Sequence, residues 1–180
     1  MPEEILDIYN EKGSHIGTAP RSEVHHKGYW HKTAQVWLIN DKSELLLQLR
    51  SDNKDCFPSL WDISSAGHIP AGCPVLESAV RELEEELGLS HSEDDLKFLF
   101  ELAEPFVDPN MGHIDREFAQ VYLLQVEGEP EFKLQVEEVA AIRWIHYKDL
   151  LKDFNTKSNE YVPHKVHFEK LVGCLQKLGY

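Results

Sequence analysis

Basic residues are scarce in this chain: 18 lysines and arginines stand against 32 aspartates and glutamates, a formal net charge of -14. Holding a nucleic-acid polymer takes a concentrated basic surface, so that class of partner is excluded. A small anion, bound through a metal and a few local cations, is not. Cysteine is rarer still, and Cys56, Cys73 and Cys174 lack the paired spacing of a zinc site or a disulfide framework. No obvious base accompanies Cys73 to make it a nucleophile, so a packing residue or reduced thiol is the simpler reading. No apolar run is long enough to cross a membrane. The opening MPEEILDIYNEKG lacks the basic and apolar character of a secretory signal. Internal repeats and low-complexity linkers are also missing. A reducing, cytoplasmic setting is the expectation, with one domain over residues 1–180 around a substantial core.

What is present reads as short strands around a few helices. Residues 5–9 and a segment near Ile16, separated by Asn10-Glu11-Lys12-Gly13, predict a hairpin within an extension of about residues 1–30. Residues 33–39 and 44–50 form a second strand pair, apolar enough for a core, and residues 97–104, 118–126 and 139–145 add further strands. Residues 164–178 predict a C-terminal amphipathic helix packing through Val166, Leu171, Cys174, Leu175 and Leu178. The segment EPFVDPNMGHID, residues 104–115, reads as a polar loop that shapes a pocket. Strands flanked by helices suggest a mixed sheet in an α/β fold.

The most informative stretch is GHIPAGCPVLESAVRELEEELGL, residues 67–89. Read as a helix, its second half aligns Leu76, Ala79, Val80, Leu83 and Leu87 in one apolar stripe. Glu82, Glu85 and Glu86 then project from a neighbouring face, about one turn apart or less. Carboxylates so close repel one another, and a hard cation such as Mg2+ or Mn2+ between them relieves the repulsion. A solvated acidic face is the alternative, and the Gly-rich loop before the helix and Arg81 beside Glu82 weigh against it. Pro74 suits the helix start and Gly88 its end.

The same stretch resembles the signature of the Nudix hydrolases: Gly, five residues, Glu, seven residues, Arg-Glu, an aliphatic, any residue, Glu-Glu, any residue, Gly, an aliphatic. Arg81 to Leu89 match it fully, and counting back puts Gly67 on the motif glycine. Cys73 occupies the position of the first glutamate, which in the family is held to orient the arginine. Glu77, four residues before Arg81, is a replacement partner on the helix. The resemblance implies a Nudix-type α/β/α sandwich and Mg2+, or Mn2+, held by Gly67, Glu82, Glu85 and Glu86. It also implies catalytic roles among Arg81, Glu85, Glu86 and Glu117, with the general base open among the three glutamates. The expected reaction is hydrolysis of the diphosphate linkage in a nucleoside di- or triphosphate or a nucleoside diphosphate derivative.

Over roughly residues 1 to 150 the chain resembles the isopentenyl-diphosphate-isomerase-like branch of that superfamily, in TAQVWLIN, LLLQLRSDNKDCFPSLWDISSAGH and HIDREFAQVYLL. True isomerases carry a catalytic cysteine immediately before the Gly-His of the loop. Here that residue is Ala66, and a methyl group cannot move a proton to or from carbon. The isomerases also gather a metal through histidines and a later acidic pair: His68, Asp115 and Glu117 match those positions, His25 and His31 only loosely. Arg50 and Lys54 match basic positions that contact the diphosphate and suit phosphate as fork and point charge. His68 is open to a ligand or phosphate contact, or to a loop hydrogen bond. Trp30, Trp37, Trp61 and Phe106 are divided between core packing and stacking on a base. Isomerase activity and a non-catalytic nucleotide-binding module stand as alternatives, and a homodimer is plausible from the relatives.

Overall fold

The computed structural model describes residues 3–54, 56–108, 113–128 and 130–180. Its strands are β1 (Ile5–Tyr9), β2 (His15–Pro20), β3 (Trp30–Ile39), β4 (Glu44–Arg50), β5 (Trp61–Asp62), β6 (Ser65–His68), β7 (Leu96–Asp108), β8 (His113–Gln125) and β9 (Val139–His146). The helices are α1 (Arg21–Lys27), α2 (Val75–Leu87), α3 (Tyr147–Thr156) and α4 (Lys165–Leu178).

Strand β3 organises the sheet. Strand β8 runs parallel to it from Trp30↔Arg116 to Ile39↔Gln125, and β6 pairs antiparallel with it from Thr33↔His68 to Val36↔Ser65. The remaining strands extend this mixed sheet: β7 pairs with β8, β9 and β5 with β4, and the β1–β2 hairpin meets β3 at Tyr9↔Trp30. Alternation along β3 divides its side chains between two layers. Ala34, Val36 and Leu38 pack with Ala79, Leu83 and Leu87 of α2. Trp37 and Ile39 pack with Leu150 and Phe154 of α3 and Phe168, Leu171 and Leu175 of α4. Helices thus cover both faces, which is the α/β/α sandwich that the patterning and the resemblance predict.

The helix of the glutamate-rich segment forms as expected. It begins after Pro74 and ends at Gly88, where a left-handed φ of 70° lets the backbone N–H bond back to Glu84 and Leu83. Other expectations need correction. Helix α1 escapes sequence reading because its seven residues hold too little periodicity. Helix α3 is hidden behind the strand that feeds it, and is capped by the His146 side chain, which accepts from the Lys148 N–H. The expected loop at residues 104–115 is largely strand: Glu104 pairs with Glu117 and Pro105 with Arg116. Pro105 is tolerated because β7 pairs with β8 alone, leaving an edge that needs no N–H from it. Residues 109–112 of that segment lie outside the described residues. In α4 the packed stripe is Phe168, Leu171, Val172 and Leu175, whereas Val166 and Leu178 are exposed. Among the described residues no helix is long and apolar enough to cross a membrane.

Candidate active site

One large cavity, about 1090 Å³, opens where β3, β4, β6, β7, β8 and α2 meet beside α1. Its lining includes Arg50, Lys54, Gly67, His68, Arg81, Glu82, Glu85, Glu86 and Glu117. The residues expected to hold metal, catalyse or bind phosphate therefore reach one space, but in different ways.

On the α2 side, Glu86 is buried and accepts from the Ala66 backbone N–H (3.1 Å) and the Gln48 amide (3.5 Å). Burial, reinforced by the nearby Glu82 carboxylate, pushes Glu86 up to about 8. Burial likewise raises Glu82 to about 7, against the pull of Arg81. A methyl group on Gly67 would overlap the Glu82 carboxylate, so the motif glycine is required for space rather than for backbone conformation. Arg81 stands between Glu82 (2.7 Å) and Glu85 (2.8 Å) and reaches the His68 carbonyl at 3.4 Å. Among the described residues the three glutamates do not gather as one ligand cluster; Arg81 holds Glu82 and Glu85, and Glu86 is buried beside Glu82.

Glu77, the expected partner of Arg81, makes no ion pair with it among the described residues. Cys73 is exposed and lines a small separate hollow with Asp7, Tyr9 and Lys32. The orienting role of the missing motif glutamate falls instead to Glu82, Glu85 and the His68 carbonyl. Glu77→Gln and Cys73→Ser are accordingly expected to keep kcat/KM within about twofold of the wild type, as for surface substitutions. Steady-state kinetics on any turned-over substrate checks this, and a loss above about tenfold from Glu77→Gln would restore the helical ion pair.

On the opposite wall, His31, Thr33 and Gln35 follow the period-two face of β3, and Asp115 and Glu117 that of β8. The ligand atoms of His25, His31 and His68 lie within 4.8 Å of one another, as do those of His31, Asp115 and Glu117. His25 and His68 face each other at 3.1 Å, and His31 stacks on His68 with ring centroids 5.1 Å apart. Burial and then the surrounding positive charges, Arg21 and the other two histidines among them, hold His68 well below its ordinary value, a neutral ring. Burial, followed by Asp115 and Glu104, holds Glu117 well above its ordinary range, with Thr33 donating to it at 3.0 Å. Imidazole nitrogens beside carboxylates are a donor set that suits a divalent transition metal. Sequence reading matched His25 and His31 only loosely, because α1, which carries His25 to the pocket, was not foreseen.

The expected phosphate contacts are both tethered. Arg50 binds Asp62 at 3.1 Å and the Cys56 carbonyl through Nε and Nη2, leaving its other N–H groups to face a ligand. Lys54 pairs with Glu138.

The sequence profile of the NUDIX domain matches residues 29–165, a span that holds strands β3 to β9, helix α2 and nearly every residue just described. The chain belongs to the Nudix hydrolase family. Among similar proteins, Nudix hydrolase 3 of Arabidopsis thaliana is 40% identical over 174 residues, 94% of this chain but 22% of that protein; the chain spans about a fifth of its length. An uncharacterised Nudix hydrolase of Clostridium acetobutylicum is 34% identical, with 96% of each chain covered. An isopentenyl-diphosphate Delta-isomerase of Photorhabdus laumondii is 28% identical over 96% of this chain and 93% of its own, which fits the isomerase-like branch. Among solved structures, a Deinococcus radiodurans protein superposes with a TM-score of 0.70 at 21% identity, covering 93% of this Nudix chain and 98% of its own.

Proposed function

We propose that this Nudix protein is a Mg2+-dependent hydrolase that cleaves the diphosphate linkage of a nucleoside di- or triphosphate or a nucleoside diphosphate derivative. The observation that carries the reading is Glu86, a buried carboxylate with Glu82 as its neighbour. Glu86 makes no ion pair among the described residues and Glu82 shares Arg81 with Glu85, so two such carboxylates facing one cavity favour a hard divalent ion. Their all-oxygen donor set, completed by Glu85, fits Mg2+, with Mn2+ as the nearest substitute. When bound, the ion supplies charge neutralisation on the diphosphate and acidifies water.

The remaining chemistry belongs to the chain. Arg81 is drawn from Glu82 and Glu85 when their charge is otherwise met, and is then free to face the leaving phosphate. Arg50 keeps its grip on Asp62 and presents its unused N–H groups, while Lys54 exchanges Glu138 for a phosphate oxygen. The attacking water gives its proton to a carboxylate whose affinity for it is raised by burial, and Glu86 and Glu117 both meet that condition. Glu85, half exposed and paired with Arg81, serves better as ligand than as base.

A second reading, isopentenyl-diphosphate isomerisation, draws support from the His25, His31, His68, Asp115 and Glu117 cluster. Ala66 opposes it, since a backbone N–H to Glu86 and a methyl group are all that this position offers. A panel of nucleoside diphosphate compounds, with Mg2+ and with EDTA, is the test. Phosphate or nucleotide release is expected with the metal alone. Glu85→Gln is expected to abolish it, and full turnover in EDTA would remove the metal from the mechanism. Deuterium incorporation into isopentenyl diphosphate would favour the isomerase.

A further inference from the structure

A chain of buried and partly buried charges lines the cavity and none of it belongs to the glutamate helix or the histidine cluster. Arg50 of β4 meets Asp62 of β5 at 3.1 Å. Asp62 Oδ1 faces His164 Nε2 at 3.3 Å, and His164 Nδ1 faces Glu104 Oε1 of β7 at 3.4 Å. Glu104 Oε2 faces His167 Nδ1 at 3.4 Å, and His167 Nε2 accepts from the buried Trp37 indole N–H at 2.9 Å. His164 stands at the N-cap position of α4, its side chain turned to the two carboxylates rather than to the helix N–H groups, so the C-terminal helix is tied through it to the strand that carries Arg50.

We propose that His164 is a positioning residue, clamping Asp62 and Glu104 in the cavity lining so that Asp62 holds the Arg50 guanidinium aimed at a diphosphate. The argument is geometric. Carboxylates only accept, and both ring nitrogens of His164 face one, so both carry a proton and the ring is a cation. The charges then alternate along the line from Arg50 through Asp62 and His164 to Glu104, and each carboxylate lies between two partners. Although burial opposes the charge, hydrogen bonds to Asp62 and Glu104 raise His164 to about 10. Both carboxylates, despite burial, are held well below their ordinary range, chiefly by His164. The groups facing His164 are Asp62 on β5, Glu104 on β7 and His167 on its own helix, with Arg50 beyond Asp62 and Glu117 across the ladder from Glu104. His167, neutral by burial and by its acceptor role toward Trp37, adds no competing cation.

Without His164, Asp62 has lost one of two cations and Glu104 keeps only the His167 N–H, so both carboxylates are left buried with less compensation. Asp62 then shifts, and Arg50 with it. The proposal rests on the diphosphate reading of the site, but its test separates the two. Nitrogen-15 spectra of the full-length wild type are expected to show His164 with both ring nitrogens protonated at pH 8; a neutral ring there overturns the clamp without any variant needing to fold. Imidodiphosphate with Mg2+, which is not hydrolysed, is the binding probe in calorimetry. His164→Gln is expected to weaken it about tenfold, and to weaken it no further in an Arg50→Ala background, because both changes remove one function. An unchanged affinity in folded His164→Gln, or losses that multiply with Arg50→Ala, overturns the proposal. Wild type that binds the probe but turns over nothing in the substrate panel defeats hydrolysis while leaving the clamp standing.

Discussion

Glu86→Gln is expected to lower turnover by about 100-fold or more while making the metal-free protein more stable at pH 8. The two effects have one cause. Glu86 is buried, and in the metal-free protein its proton is held until about pH 8, against an ordinary value of 4.5. A folded-state value raised above the unfolded one gives a contribution fully present below pH 4.5 and lost as pH rises through about 8. Between those limits the unfolded chain sheds its proton first, so the fold becomes progressively less favoured, by an amount on the order of a few kcal/mol. The amide carries no charge to bury, so the stability difference should grow in favour of Glu86→Gln across that interval. For a chain of this length such a difference moves Tm by several degrees or more. Mg2+ acts on the wild type in the opposite sense, because it binds the ionised carboxylates and displaces the proton. The rise in Tm on adding Mg2+ should therefore be larger at pH 8 than at pH 5.5, and should shrink in the amide variant. Turnover falls because a ligand or base is lost, each worth about 100-fold or more. Thermal melts at the two pH values, with and without Mg2+, decide the matter: a metal-induced gain independent of pH would detach Glu86 from the metal.

The contrast between what sequence disclosed and what it hid is physical. The glutamate helix was legible because its apolar stripe and its carboxylates repeat at helical period within one short segment, so Ala79, Leu83 and Leu87 pack and Glu82 and Glu86 face the cavity. The β3 and β4 strands were legible because both faces are largely buried and each holds a continuous apolar run, Val36, Trp37, Leu38 and Ile39 in one and Leu45, Leu46 and Leu47 in the other. The His25, His31, His68, Asp115 and Glu117 wall was only half legible. Its members come from α1, β3, β6 and β8, and only the parallel register of β3 on β8 puts His31 opposite Glu117. No local pattern encodes that register. His164 and His167 carry no functional signal in their own segment, where nothing reveals that Asp62 and Glu104 await them. The Glu77–Arg81 pair shows the reverse error: four-residue spacing permits a helical ion pair, but Glu85, also four residues away, and Glu82 already hold Arg81 from the cavity side.

Gly67→Ala is expected to impair this protein more than any other single-methyl change at the site. Gly67 lies in β6 opposite Ala34 of β3, and a Cβ added there would overlap the Glu82 carboxylate carbon. Its φ is not in the left-handed region, so an alanine meets no backbone penalty and the entire effect is steric. Two escapes exist. The strand can withdraw, which breaks its register with β3, the central strand; or Glu82 can turn away, which frees Arg81 and takes one carboxylate from the cavity. The second is easier, because Glu82 is a flexible side chain and Arg81 retains Glu85. Overpacking of this kind costs about 1–3 kcal/mol, a fall in Tm of about 2–12 °C for a chain of this length. The loss of activity should be disproportionate, on the order of 100-fold, since a displacement of about 1 Å at a catalytic group already has that effect. Far-ultraviolet circular dichroism should remain that of the wild type, and Mg2+ should raise the Tm of the variant less than it raises that of the wild type. If folded Gly67→Ala kept wild-type turnover and the full metal-induced gain, Glu82 would have no part in holding the ion, and the site would have to be rebuilt around the histidine wall.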